Sequence, residues 1–261
     1  MATPLAYDVF AIKYAERDAR RPDHFIGGDP HDTPTPMDYF VWAIVSDDHT
    51  WVVDTGFGQE DADRRKRRLL RSAAEGLALI SVDAATAPSV ILTHLHYDHV
   101  GGFDQFPNAH VHLQDREMAF ATGRHMTTHP QAHSFTARHV AEMVMAVHDG
   151  RVGFHDGDAE LAPGLSVHLL GGHTDGLQVV RVQTRSGWLV LASDATHYYE
   201  NMGARRPFPI VFDVDAMVAG YGRLRELAGR DGTIVPGHDP MVFERHAAAD
   251  PALSGMVARL G

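Results

Sequence analysis

The sequence predicts an α/β chain folded as a four-layer sandwich, with two sheets inside and helices outside, in a single domain spanning residues 1–261. Three observations predict it. Strand-like segments fall into two blocks, each followed by helical stretches. Several strand-like segments end directly in histidine or aspartate. The length of 261 residues, with 44% apolar and 22% charged residues, is that of one large globular domain.

Residues 6–13 and 38–53 read as strands, and residues 39–45 and 51–53 pair as a hairpin across Ser46-Asp47-Asp48-His49. Residues 60–77 read as a helix. Ser89-Val90-Ile91-Leu92 reads as a buried strand. Ala109-His110-Val111-His112-Leu113 alternates as a strand does, and a helical stretch runs from Arg116 to Ala121. Val140, Met143, Val144 and Val147 recur at helical spacing within residues 136–148. Residues 152–191 are strand-rich. Residues 213–229 read as a helix with Met217, Val218, Tyr221, Leu224 and Leu227 on its apolar face. Three stretches read as irregular and as candidate covers for a site: residues 18–37, 123–134 and 198–212. The first contains Gly27-Gly28-Asp29-Pro30, followed by Pro34 and Pro36. The second carries His125, His129 and His133, which read as solvated and not as ligands. The third holds Met202, Phe208 and Phe212, which point to an apolar substrate pocket.

The densest chemistry lies in Thr93-His94-Leu95-His96-Tyr97-Asp98-His99, directly after the apolar strand. An extended backbone points His94 and His96 the same way. Asp98 and His99 follow on the turn that leaves the strand, and Gly101-Gly102 marks a sharp bend with close backbone approach. Imidazole and carboxylate are ligands of borderline divalent metals, zinc above all. Four such groups this close need a cation to share.

Composition excludes several classes. There is no cysteine, so no disulfide, thiolate-ligated zinc or cysteine nucleophile is available. The net charge of −11 disfavours a nucleic-acid binder. The basic run Arg64-Arg65-Lys66-Arg67-Arg68, with Arg71 nearby, reads as a solvated helix face. No apolar stretch is long enough to span a membrane. The first eight residues, Met1 to Asp8, lack the basic and apolar segments of an export signal, so the cytoplasm is the expected compartment.

The H-x-H-x-D-H pattern resembles the signature of the metallo-β-lactamase superfamily, and the remaining positions follow in order. Gly171-Gly172-His173-Thr174 follows one strand-like stretch, Ser193-Asp194 ends another, and Gly237-His238 follows a third. The resemblance covers roughly residues 40 to 240. It implies an αββα sandwich with two divalent metals, zinc first and iron, manganese or cobalt as alternatives. One metal would take His94, His96 and His173. The other would take Asp98, His99 and His238. Asp194 and a hydroxide would bridge them. Asp54, in Val53-Asp54-Thr55-Gly56, matches a further motif and would orient ligands.

Within the superfamily the chain looks most like the N-acyl-homoserine lactonases. That implies a small-molecule substrate with an apolar portion, attack by the bridging hydroxide, and a proton relay through Asp98. Those lactonases usually carry a tyrosine three residues after the bridging aspartate, where this chain has His197. His197 itself, or Tyr198 or Tyr199, would then supply the hydrogen bond to substrate. The glycine three residues after His173 is kept as Gly176, while the histidine that often follows it is Leu177. Cyclic amides and glyoxalase-type thioesters are alternative substrates; the latter need a basic pocket, for which Arg245 and Arg259 are candidates. A redox di-iron protein of this fold fits less well, because it usually has glutamate at the position of His96. A phosphodiesterase and a non-catalytic metal binder rank lower. A homodimer is compatible with the family, and no feature of the sequence requires it.

Overall fold

The computed structural model describes residues 6–128 and 130–261. Most of the N-terminal segment read for an export signal (residues 1–5) and His129 lie outside the described residues.

The first sheet is built from β1 (Asp8–Arg17), β2 (Met37–Val45), β3 (Thr50–Val53), β4 (Arg68–Leu69), β5 (Ser89–Ile91), β6 (His110–Gln114) and β7 (Val152–His155). The second holds β8 (Ala159–Ala162), β9 (Leu165–Leu169), β10 (Gln178–Thr184), β11 (Gly187–Ser193) and β12 (Thr233–Pro236). The last strand, β13 (Val257–Arg259), returns to the first sheet beside β1. The strand order is β13-β1-β2-β3-β5-β6-β7, with β4 on β1, and β12-β11-β10-β9-β8. β3, β5, β6 and β7 run parallel, and so do β11 and β12. Their C-terminal ends are where the polar motifs emerge.

Alternation along the strands separates three apolar layers. Phe40, Trp42 and Ile44 of β2 face inward, against Val180 and Val182 of β10 and Leu189 and Leu191 of β11. Tyr39, Val41 and Ala43 face the other way, toward the helices α1 (Gln59–Arg65), α2 (Ala73–Ala78), α3 (Tyr97–Val100), α4 (Asp115–Thr122) and α6 (Ala137–His148), α5 being His125–Thr128. On the far side, Val179, Val190 and Ala192 pack on Met217, Tyr221 and Leu224 of α8 (Val214–Ala228), while α7 is Tyr199–Ala204 and α9 Met241–Arg245. The result is helix, sheet, sheet, helix. β2 is buried from Met37 to Ile44 because both its faces are covered. Each of its large side chains contributes about 1.5–3 kcal/mol by leaving water.

The hairpin expected at residues 39–53 forms, with Val45 opposite Thr50. The single helix expected over residues 60–77 does not. α1 stops at Arg65, Lys66 takes a left-handed conformation (φ 55°), and Arg68 and Leu69 pair with β1. A new helix then starts at Ser72, whose hydroxyl accepts from Glu75 N while Glu75 returns the bond to Ser72 N. The irregular stretches are also partly ordered, since α5 lies within residues 123–134 and α7 within residues 198–212. Among the described residues, no helix is long and apolar enough to cross a membrane.

A buried carboxylate ties α1 to α6. Asp61 accepts from Thr136 Oγ1 (3.0 Å), His139 Nε2 (2.7 Å) and the Arg64 guanidinium. Burial opposes its charge, but the bonds from His139 and Arg64 outweigh burial and hold the carboxyl well below the usual range. Such a depressed group stabilises the fold at neutral pH, and that contribution is lost as pH falls through its folded-state pKa. Asp61→Ala is expected to cost about 3 kcal/mol at pH 7. Urea melts should show the gap from the wild type narrowing as the solution is acidified.

Candidate metal centre

Beyond β5 the chain bends at Thr93 and reaches His96, whose extended backbone (φ −66°, ψ 155°) occupies the N-cap position of α3. The short helix then presents Asp98 and His99 from its first turn. Gly101 and Gly102 follow, neither with positive φ. They are needed for space: a Cβ would come within 2.3 Å of Tyr97 O at Gly101 and within 2.2 Å of Thr55 O at Gly102. Two non-glycine residues at the strand ends are left-handed, Asp54 (φ 60°) after β3 and Ser193 (φ 44°) ending β11. This conformation costs energy and is held only where the surroundings fix it. Here Thr93 supplies the constraint: its hydroxyl lies 2.8 Å from Asp54 Oδ2 and 2.9 Å from Ser193 Oγ.

The seven residues singled out from the sequence converge in one buried cluster. His94, His96 and His173 form one group, and Asp98, His99 and His238 another, each with its donor atoms within 4.8 Å of one another. In the first, His173 Nε2 lies 3.2 Å from His94 Nε2 and 2.9 Å from His96 Nδ1. In the second, Asp98 Oδ2 lies 3.9 Å from both His99 Nε2 and His238 Nε2. Asp194 stands between the groups. Its Oδ2 is 3.3 Å from His173 Nε2, and its Oδ1 is 3.0 Å from His238 Nε2 and 3.5 Å from His99 Nε2.

The donor set fits cations. His99 Nε2 and Asp194 Oδ1 are buried without a hydrogen-bond partner, as is His96 Nε2 on the far side of its ring. Burial, then the neighbouring imidazoles, pushes His94 and His96 well below the ordinary histidine pKa. Neutral imidazole is the form a metal binds. The outward nitrogens of three of the other imidazoles are occupied. His99 Nδ1 meets Asp54 Oδ2 at 2.7 Å, His173 Nδ1 donates to Ile210 O at 2.6 Å, and His238 Nδ1 donates to Asp38 O at 2.8 Å. Each bond fixes a tautomer and turns Nε2 toward the cluster. Asp54 thus takes the orienting position expected from the sequence.

The residues expected to touch substrate separate. His197 lies at the cluster, with Nε2 3.0 Å from Asp194 Oδ2 and its ring stacked on Phe208 (centroids 3.4 Å apart, 11° between planes). Burial is the main cause that pushes its pKa down to about 3. Tyr198 is a correction. Its hydroxyl donates to Pro36 O (2.9 Å), lies 3.2 Å from His24 Nε2, and does not line the cavity at the cluster. Tyr199 does not line it either; its ring packs under the Arg245 guanidinium at 3.8 Å. The basic run divides. Arg64, Lys66 and Arg68 are exposed, as expected, whereas Arg65, the last residue of α1, and Arg67, in the break after it, line the cavity. Of the extra histidines, His133 is exposed and reaches the cavity rim, and His125 packs on Phe120.

Sequence reasoning missed Glu117, from α4. It is fully buried and accepts from Leu95 N (2.9 Å), Thr174 Oγ1 (2.6 Å) and Gly176 N (3.2 Å). One carboxylate thereby ties the loop of His94 and His96 to the loop of His173. The close fit of Gly176, where a Cβ would meet Glu117 N at 2.0 Å, belongs to the same contact. Only the apolar spacing around Glu117 was legible, and it marks a helix without marking a strut.

Two substitutions test these supports. Glu117→Ala leaves two buried N–H groups and a hydroxyl unpaired, and is expected to lower stability by about 3 kcal/mol in denaturant melts and to reduce bound metal. Asp54→Ala frees the His99 ring and is expected to weaken metal affinity by about 10–100-fold in competition with a chelating dye.

Comparison with known proteins places this geometry. The description of the metallo-beta-lactamase superfamily matches residues 34–238. A probable metallo-hydrolase of Mycobacterium tuberculosis is 26% identical over 241 residues, covering 78% of this chain and 75% of the relative. An N-acyl homoserine lactonase of Bacillus cereus is 28% identical over 152 residues, 58% of this chain and 55% of that protein. Among solved structures, an N-acyl homoserine lactone hydrolase with its product N-hexanoyl-L-homoserine at the catalytic metal centre superposes with TM-score 0.76. It is 19% identical and covers 91% of this chain and 94% of that one. With a family match over most of its length and a buried histidine–aspartate cluster at the strand ends, the chain belongs to the metallo-beta-lactamase superfamily and is a metal-dependent hydrolase similar to the N-acyl homoserine lactonases.

Proposed function

We propose that the protein opens a lactone by hydrolysis at a dinuclear metal centre, with the whole chain serving as one catalytic domain. The observation that carries this reading is the division of Asp194: one oxygen faces His173 and the other faces His99 and His238. His94, His96 and His173 would hold one metal, Asp98, His99 and His238 the other, and Asp194 both. Two divalent cations bound there, zinc being the first candidate, would supply a hydroxide nucleophile at neutral pH and a Lewis acid for the carbonyl.

The chain's own groups do the rest. Asp54, Asp38 O and Ile210 O keep the imidazoles aimed. Asp98 has a carboxylate oxygen positioned to carry a proton toward the leaving alkoxide. His197 stands at the sequence position where the lactonases usually carry a tyrosine, and its Nε2 lies 3.0 Å from Asp194 Oδ2. Met37, Phe208, Pro209 and Ile210 form an apolar wall for the ring and its substituent. The two arginines expected to serve the thioester alternative lie elsewhere. Arg245 is stacked on Tyr199 and Arg259 is paired with Asp8 at 2.6 Å, so neither lines the cavity.

The test is proton release from a panel of lactones by protein carrying a measured metal load. Turnover should require about two metals per chain, vanish on chelation and return with added zinc. Asp98→Asn should lower kcat by at least about a hundredfold. Full activity after chelation, or two bound metals with no turnover on any lactone, would contradict the proposal.

A further inference from the structure

Three arginines line the cavity at the metal centre: Arg17 from the end of β1, Arg65 from the end of α1 and Arg67 from the break after it. Arg65 Nε lies 3.6 Å from Asp61 Oδ1, whereas no carboxylate stands within ion-pairing distance of Arg17 or Arg67 among the described residues. The Nε atoms of Arg17 and Arg65 are buried without a hydrogen-bond partner. Arg67 is held by Tyr97, whose hydroxyl accepts from its Nε at 3.1 Å, and by Arg65 O at 2.6 Å. The Arg65 guanidinium lies over the Tyr97 ring at 3.9 Å. Tyr97 sits between His96 and Asp98 in the chain, so the arginines are fixed to the metal-binding loop itself.

This arrangement is unusual in a chain with 34 acidic and 23 basic residues. Acidic groups are abundant, yet Arg17 and Arg67 are left without one. Half-buried guanidinium groups sharing a cavity repel one another and lose hydration unless an anion joins them. The acids that line the same space are committed elsewhere. Asp98 and Asp194 face the histidines, and Asp23 is exposed and accepts from Arg20 N at 3.0 Å. Arginine also presents a planar fork suited to a carboxylate. The cavity volume is about 100 Å3, below the roughly 300–1,000 Å3 of drug-sized pockets.

We propose that Arg17, Arg65 and Arg67 form an anion subsite that selects a lactone bearing its own carboxylate. The inference rests on the lactonase reading above and refines its substrate class. The carboxylate is held at the arginines while the ring ester lies at the metals. Neutral lactones lack that anchor and are the poorer substrates.

The test uses metal-loaded protein and two readouts. The first compares kcat/KM for γ-butyrolactone and for its carboxylated form, the lactone of 2-hydroxyglutarate. The second is calorimetric binding of glutarate against valerate, which matches it in carbon count with one carboxylate fewer. The wild type should prefer the carboxylated lactone, and glutarate over valerate, by at least about tenfold each, the scale of one charge-assisted contact. Arg17→Gln and Arg67→Gln should each shrink both ratios severalfold, and Arg17→Lys should recover part of the loss. Lactone turnover without either preference, or ratios unchanged in both variants, would overturn the subsite and leave the lactonase reading intact. An arginine-dependent glutarate preference with no lactone turnover would support the subsite and overturn the lactonase reading. Inorganic phosphate binding tighter than glutarate, with the same arginine dependence, would overturn the carboxylate assignment.

Discussion

The site depends on one buried carboxylate shared between two sets of imidazoles. Asp194 offers Oδ2 to the side of His94 and His173 and Oδ1 to the side of His99 and His238. A buried carboxylate in that position is costly without cations, and so are buried imidazole nitrogens lying about 3 Å apart. Cations remove both costs at once, and the sandwich is arranged to bring the two sets together. The first sheet delivers Asp54 and the loop of residues 93–99; the second delivers Asp194 and His238. Because these residues leave the C-terminal ends of strands, rigid β-structure lies directly behind them.

Holding the two sheet edges in register requires its own machinery. Thr93 touches Asp54 from the first sheet and Ser193 from the second, and both partners are left-handed. Glu117 joins the loop of His96 to the loop of His173 from outside. Gly101 and Gly102 allow the loop to press against neighbouring carbonyls. These contacts contribute no ligand. They limit how far the donor atoms can drift, and metal affinity and catalysis both depend on such limits.

Much of this was legible in the sequence, for physical reasons. The seven candidate ligands lie at or just beyond the ends of short apolar strands, so local pattern and chemistry coincide, and all seven converge in the structure. The hairpin at residues 39–53 was legible because its alternation is bounded by a polar turn. The break in the helix expected over residues 60–77 was not. Arg64 to Arg68 have good helix propensity, and tertiary contacts favour the break, among them those of Arg67 with Tyr97, of Arg68 with Glu16 and of Leu69 with β1. Arg64, Lys66 and Arg68 stay exposed as expected, while Arg67, in that break, joins Arg65 in the cavity wall. Tyr198 was misplaced because sequence adjacency to Asp194 does not reveal which way a side chain points at the start of α7; its hydroxyl goes to Pro36. Glu117 was invisible because its three partners are far away in sequence.

The central claim is that two cations sit on either side of Asp194. Anomalous diffraction from crystals of the zinc-loaded protein, recorded above and below the zinc edge, tests it directly. The account predicts two peaks about 3.5–4 Å apart, one ringed by His94, His96 and His173, the other by Asp98, His99 and His238, with Asp194 reaching both. A single peak, or two peaks with Asp194 turned away from one of them, would contradict it.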